Sequence, residues 1–301
     1  RSTRRSSGSP ARGLISAAMR NVTATSITQA VADSFDGAAD PRFRHLIERL
    51  THHLHAYARE VNLTPEEWKS GIDFLYRAGK ISDDARNEFI LTSDVLGLSS
   101  LVDLLASGAG ATERSALGPF HAEGSPLIEV GGDLKRDNAG EPLLVRGRVL
   151  DTGGHPVAGA QLDFWQAAVN GKYWQQDPAQ DPHNLRFRMV TADDGVYAFT
   201  TVRPAPYSVP YDGPVGDLLR AGGRHAWRPA HFHFIVSATG KRTLTTEVFF
   251  ADDRYIDEDA VFGVRESLLI KPRLDTDATL AQRHRLPLPF HSVEFDFRLS
   301  R

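Results

Sequence analysis

The 301-residue chain contains no cysteine and only two methionines. Without a thiol it forms no disulfide, has no thiolate nucleophile and builds no cysteine-ligated zinc or iron–sulfur centre. Any metal it holds must sit among nitrogen and oxygen donors, for which 12 histidines are available. Long hydrophobic runs are missing as well: none approaches the roughly 20 residues that a membrane-crossing helix requires. Nor is there an excess of positive charge. Lys and Arg total 35 against 38 Asp and Glu, and the formal net charge of −3 provides no basic field to grip nucleic acid. The 41% apolar and 24% charged residues that are present fit an ordinary globular protein, expected in the cytoplasm with no transmembrane segment.

The start of the chain differs from the rest. Arg1, Arg4, Arg5, Arg12 and Arg20 sit among Ser, Gly and Ala, and no acidic residue precedes Asp33. Residues 1–25 read as an extension, flexible or non-native in part, with Met19 as a candidate natural start; a secretory signal is not supported, because no apolar core of the required length is present.

From Ser26 to about residue 110 the pattern is helical. Asp40-Pro41 opens a helix in which Phe43, Leu46, Ile47, Leu50, Leu54, Tyr57 and Val61 recur at spacings of three and four, forming one apolar stripe. Thr64-Pro65-Glu66-Glu67 is a capping box that opens a second helix, with Trp68, Ile72, Leu75 and Tyr76, ending at Gly79. Ser82-Asp83-Asp84 is expected to cap a third that runs through Phe89, Ile90, Val95, Leu98, Leu101 and Leu105 to Gly108.

Beyond that glycine the pattern changes to short β-rich runs at 143–150, 161–165, 196–199, 231–236 and 244–250. Turn signals such as Asp193-Asp-Gly195 and Asp212-Gly-Pro214 separate them. With no helical segment expected between the runs, residues 111–301 read as an antiparallel β-sandwich. The fold class is therefore α+β, a helical region over 26–110 followed by that sandwich.

The sharpest local feature is Arg228-Pro-Ala-His231-Phe-His233. Side chains alternate along a strand, so His231 and His233 share a face about 7 Å apart while Phe232 and Phe234 point the other way. Such a pair can converge on one ion, or can simply be two satisfied histidines. No carboxylate stands in an equally distinctive motif, but two tyrosines do: Tyr173 in Asn170-Gly-Lys-Tyr-Trp and Tyr207 in Arg203-Pro-Ala-Pro-Tyr-Ser-Val-Pro210. Both lie in turn-rich stretches, where β scaffolds present functional groups, although either could be packing alone.

Taken together, Leu117-Gly-Pro-Phe120, Gly171-Lys-Tyr173, the Pro-x-Tyr-x-x-Pro around Tyr207, Arg228-Pro-Ala-His-x-His233 and Leu244-Thr-Thr246 resemble the intradiol ring-cleaving catechol dioxygenases, in that family's order. Asp212-Gly-Pro-Val-Gly216, Gly223-Arg-His225, Asp177-Pro and His183-Asn-Leu185 resemble the hydroxyquinol-cleaving members in particular. The resemblance implies one Fe(III) per subunit on Tyr173, Tyr207, His231 and His233. It also implies that Tyr207 leaves the metal as an aromatic ortho-diol binds, and that Arg228 stabilises charge developing on the ring.

Expected substrate contacts are Leu91, Asp94, Ala116, Leu117, Gly118, Pro119, Phe120, Val209, Pro210 and Val261. The implied reaction inserts both atoms of O2 into hydroxyquinol, giving 3-hydroxy-cis,cis-muconate, the enol form of maleylacetate; catechol or a chlorocatechol is the alternative substrate. The resemblance further implies a homodimer built through the helical region and a phospholipid in a tunnel at its interface. Catechol-cleaving members often have Gln where this chain has Glu247, so the orientation of that carboxylate, toward the metal or away, is left open. Two other classes remain: a non-enzymatic ligand-binding sandwich, and a zinc hydrolase using the same histidines with Glu247.

Overall fold

The computed structural model describes residues 19–83 and 86–301. The expectations for residues 1–18, and for Asp84 as part of a helix cap, lie outside the described residues. The chain divides between Asp73 and Phe74 into two compact units.

In the first unit, α1 (Ile27–Asp33) precedes α2 (Pro41–Glu60), and α3 (Pro65–Ile81) begins there. Local chemistry starts these helices where the sequence indicates. Asp40 accepts the Arg42 N–H at 2.8 Å, with Pro41 at the first helical position. Thr64 and Glu67 cap reciprocally at 2.9 and 3.2 Å. Gly79, however, does not end α3. One glycine costs only about 1 kcal/mol in a helix interior, and the helix continues to Ile81. The apolar stripe of α2 is exposed, with Leu50 and Leu54 at 54% and 57%, and α2 has no buried residue.

The second unit takes in the end of α3 from Phe74 and continues with α4 (Glu88–Val95) and α5 (Leu98–Ala106). The sequence suggests one helix here, and the structure has two. Gly97 adopts a left-handed φ of 74°, which an α-helix cannot continue through, and the two axes bend by 75°. Among the described residues no single helix is long and apolar enough to cross a membrane.

Then follow β1 (Gly132–Asp133), β2 (Pro142–Asp151), β3 (Gln161–Gln166), β4 (Arg186–Val190), β5 (Val196–Val202) and β6 (Tyr207–Ser208). After α6 (Pro214–Ala221) come β7 (Trp227–Arg228), β8 (His231–Ser237), β9 (Leu244–Phe250), β10 (Leu269–Ile270) and β11 (Arg273–Asp275). The chain closes with α7 (Ala278–His284), β12 (Phe290–Glu294) and β13 (Phe297–Leu299).

One sheet has the order β1-β5-β2-β12-β11 with β13 also on β2; the other is β10-β9-β8-β3-β4; β6 and β7 pair separately. The inner faces meet in one aromatic core, where Phe164 and Phe187 of one sheet each lie 4.7 Å from Phe199 of the other, and Phe234 lies 4.8 Å from Phe297.

The sandwich is mixed rather than antiparallel. β1 on β5, β12 and β13 on β2, and β10 on β9 are parallel pairs. Each pairs strands far apart in the chain, with connections long enough to bring the second strand back in the same direction. The helices α6 and α7 likewise interrupt a region read as strands alone.

Candidate metal centre

Strand alternation places the two histidines as the sequence predicts. Phe232 and Phe234 enter the core, and His231 and His233 leave the opposite face of β8, buried, with their Nε2 atoms 3.1 Å apart. The turn before Trp174 and the short strand β6 bring the tyrosines to the same point. The Tyr173 hydroxyl lies 2.9 Å from His233 Nε2, and the Tyr207 ring packs 5.5 Å from that of Tyr173 and 5.4 Å from that of His231. Gly171 makes this approach possible: its φ is 73°, and a Cβ there would sit 3.2 Å from the Pro206 carbonyl and 3.4 Å from Tyr207 Cβ. Gly118 serves the other side in the same way, since a Cβ would fall 3.0 Å from His233 Cε1.

The ring orientations are fixed from behind. His231 Nδ1 donates to the Pro229 carbonyl at 2.7 Å; a carbonyl only accepts, so Nε2 holds the free lone pair. Trp165 stacks on His233 at 4.8 Å with a 5° interplanar angle. Phe120 stacks on Tyr173 at 4.4 Å, its carbonyl held by Gln175 and Arg186. Gln176 accepts the Tyr173 N–H at 3.0 Å.

Burial, then Tyr207, holds the Tyr173 phenol far above its ordinary value of 10.0, and burial raises Tyr207 against the pull of Arg228. Burial, then Arg228, lowers His231, while burial, then His231, lowers His233. The chain alone therefore keeps all four groups neutral. Adjacent donors each about 2.1 Å from a shared ion, at right angles, are about 3 Å apart, so the 2.9 and 3.1 Å edges suit a cation. Two phenols that need a strong cation to ionise, beside two imidazoles, suit a hard trivalent ion such as Fe(III).

Arg228 is buried beside the donors, paired with Glu247 and Asp259. Glu247 points toward the centre. With His231 and His233 it offers ligand atoms all within 4.8 Å of one another. Burial opposes its charge, but Arg228, then His231, still hold its carboxyl below the ordinary range.

A cavity of about 180 Å³ is lined by Leu91, Asp94, Pro119, Phe120 and Pro210, all expected from the sequence, and by Arg86, Asn87, Ile90 and Gln176, which were not. Asn87 and Ile90 lie four residues before Leu91 and Asp94, so helical spacing was the missed signal; Arg86 and Gln176 gave none. Val209 and Val261 pack with Leu91 in the adjoining core rather than on the cavity. Gly118 lies against His233. Ala116 and Leu117 are not on the lining, and Leu117 is exposed.

The Dioxygenase family profile matches residues 118–301, and the profile of the catechol dioxygenase N terminus matches 40–113. This chain belongs to the intradiol ring-cleavage dioxygenases. The dioxygenase is 47% identical over 266 residues to a hydroxyquinol 1,2-dioxygenase of Rhizobium sp., covering 87% of this chain and 90% of that protein. Its structure matches that of a hydroxyquinol 1,2-dioxygenase from Pseudomonas putida with a TM-score of 0.85 at 44% identity, over 92% of this chain and 98% of the other. A catechol 1,2-dioxygenase from Acinetobacter radioresistens matches at 0.78 and 29% identity, over 93% and 94%. The dioxygenase family is iron-dependent, in agreement with the donor set. These matches favour neither a non-enzymatic sandwich nor a zinc hydrolase.

Proposed function

We propose that this dioxygenase cleaves hydroxyquinol, benzene-1,2,4-triol, with O2 between its two adjacent hydroxyl-bearing carbons, giving 3-hydroxy-cis,cis-muconate. The observation that carries the reading is the convergence of two buried phenols and two buried imidazoles, Tyr173, His233 and His231 linked at 2.9 and 3.1 Å and the Tyr207 ring packed against them, beside a small cavity whose wall includes Asp94. The 47% identity to a hydroxyquinol 1,2-dioxygenase supports the choice of substrate.

In this reading Tyr173, Tyr207, His231 and His233 hold one Fe(III) per subunit. When bound, the ferric ion would supply Lewis acidity toward an aromatic ortho-diol. The residues do the rest. Tyr207, hydrogen-bonded to Arg228 and Tyr173, would be held as a phenolate by the metal and is placed to take a substrate hydroxyl proton, becoming the neutral phenol its burial favours. Arg228 stabilises negative charge that builds on the ring. Leu91, Pro119, Phe120 and Pro210 form an apolar wall that excludes water, and Asp94 pairs with the third hydroxyl.

Residues 26–110 serve assembly and 111–301 the chemistry; the two profile matches, ending at 113 and beginning at 118, support a division there. The exposed stripe of α2 supports a homodimer through the helical region, and a phospholipid at that interface belongs to the same reading.

Anaerobic titration of the iron-loaded protein with hydroxyquinol, catechol and 4-chlorocatechol, followed by air and product identification, tests the proposal. A visible phenolate-to-iron band that shifts most tightly with hydroxyquinol, and an intradiol product, are expected. A colourless protein, or preferential turnover of catechol, would overturn it.

A further inference from the structure

Arg228 is held by acids on two sides. Its Nη1 and Nη2 donate to Glu247 Oε1 and Oε2 at 2.6 and 2.8 Å, and its Nε and Nη2 donate to Asp259 Oδ1 and Oδ2 at 3.0 and 3.1 Å. All three side chains are almost fully buried. Two carboxylates on one guanidinium leave this group one negative charge in excess, which a buried cluster tolerates only beside further positive charge.

The two acids are not equivalent. Glu247 Oε1 lies 3.4 Å from His231 Nε2 and 3.5 Å from His233 Nδ1, and Glu247 sits directly opposite His233 in the β8–β9 register. Asp259 is absent from the group of donors that Glu247 forms with the histidines. The position of Glu247 is fixed. Ser115 Oγ lies 2.7 Å from its Oε2, and a Cβ at Gly263 would fall 2.6 Å from Arg228 Nη2 and 2.8 Å from Glu247 Oε2.

Both Glu247 oxygens are taken by the guanidinium, and the carboxylate meets His233 at Nδ1, away from the Nε2 that meets Tyr173. Its Oε1 thus lies against the donor group, 3.4 Å from His231 Nε2, but both oxygens are already committed, to Arg228 and to Ser115, rather than free to ligate. A charge so close, in a buried setting, acts on a metal with little screening. Carboxylates that back ligating histidines tune the metal in this way.

We propose that Glu247 is a positioning residue of the metal centre that stays outside the ligand set, fixes Arg228 and, through its negative charge, favours the trivalent over the divalent state of the bound iron. This rests on the ferric reading above.

The test is a redox titration of the holoenzyme, followed at the visible band and by iron content, in Glu247→Gln, Glu247→Asp and Asp259→Asn. Glutamine keeps the volume and leaves Arg228 neutralised by Asp259, so the fold has no unpaired buried charge. Iron content is expected to be retained. The midpoint potential rises most in Glu247→Gln, less in Asp259→Asn, and least in Glu247→Asp, which keeps the charge. An unchanged potential in Glu247→Gln, equal shifts in Glu247→Gln and Asp259→Asn, or a shift in Glu247→Asp as large as in Glu247→Gln overturns the proposal. Loss of iron from Glu247→Gln overturns it too, by making Glu247 a ligand. A wild-type protein that binds iron without a phenolate-to-iron band overturns the ferric reading, and the proposal with it.

Discussion

His231 and His233 are kept neutral by burial first, then by Arg228 for His231 and by His231 for His233, so both imidazoles take up protons less readily in the folded chain than at their ordinary value of 6.5. Below that value the unfolded chain binds more protons than the folded one, and stability rises with pH through the window and falls on acidification. The lowered Glu247 carboxyl acts in the same direction, below its ordinary 4.5. The metal-free protein should therefore lose thermal stability between about pH 7 and pH 5, which calorimetry across that range measures; a flat melting temperature would contradict the assignment of both histidines as buried neutral groups.

Asp94 makes a different prediction. Burial raises its carboxyl, partly offset by Ser99 and Arg228, and it is an acidic member of an otherwise largely apolar wall. A site that pairs with a substrate hydroxyl discriminates against the analogue lacking it, so Asp94→Leu should reduce the hydroxyquinol-over-catechol ratio in kcat/KM by about tenfold or more. An unchanged ratio would remove Asp94 from the specificity argument.

The elements that carry the site differ in how far they could be read from the sequence. The alternation on β8 and the caps of α2 and α3 were legible because their causes are local: a two-residue period, Asp40-Pro41, and a Thr64–Glu67 box. The helix α6 was not. Its N-terminus has glycine at the capping position, and the acceptor for the Val215 N–H is Glu88, 127 residues earlier in the chain. Gly213 allows this approach, because a Cβ would meet Glu88 Oε1 at 2.6 Å.

The parallel edge strands were illegible for a related reason. β1, β10 and β13 are two or three residues long, too short for a period to show, and only their neighbours define them. The position of Glu247 was visible as a departure, whereas its orientation depends on the β8–β9 register.

The helix α4 bears the cavity wall, and its cap is local: Asn87 accepts the Phe89 and Ile90 N–H groups at 3.1 and 3.0 Å. Replacing this cap with alanine should cost about 1 kcal/mol. Because Leu91 and Asp94 ride on the same helix, Asn87→Ala is expected to lower the melting temperature and raise KM more than it lowers kcat. A fall in kcat alone would place the effect at the metal instead.

For the whole molecule, the exposed apolar stripe along α2, with Leu50, Leu54 and Tyr57 each more than half exposed, is a surface that a second copy can cover. Light scattering should give the mass of two 33.2 kDa chains, and Leu54→Glu should shift it to one; a wild-type monomer would remove the dimer from the account. The same scale holds the central claim, that this fold brings O2 and an aromatic diol together for intradiol cleavage. The most direct measurement is mass spectrometry of the product formed from hydroxyquinol under isotopically heavy O2. The account predicts a ring-opened dicarboxylate carrying both heavy oxygen atoms, one O2 consumed per ring. A semialdehyde from cleavage beside the diol, or a product carrying a single heavy atom, would contradict it.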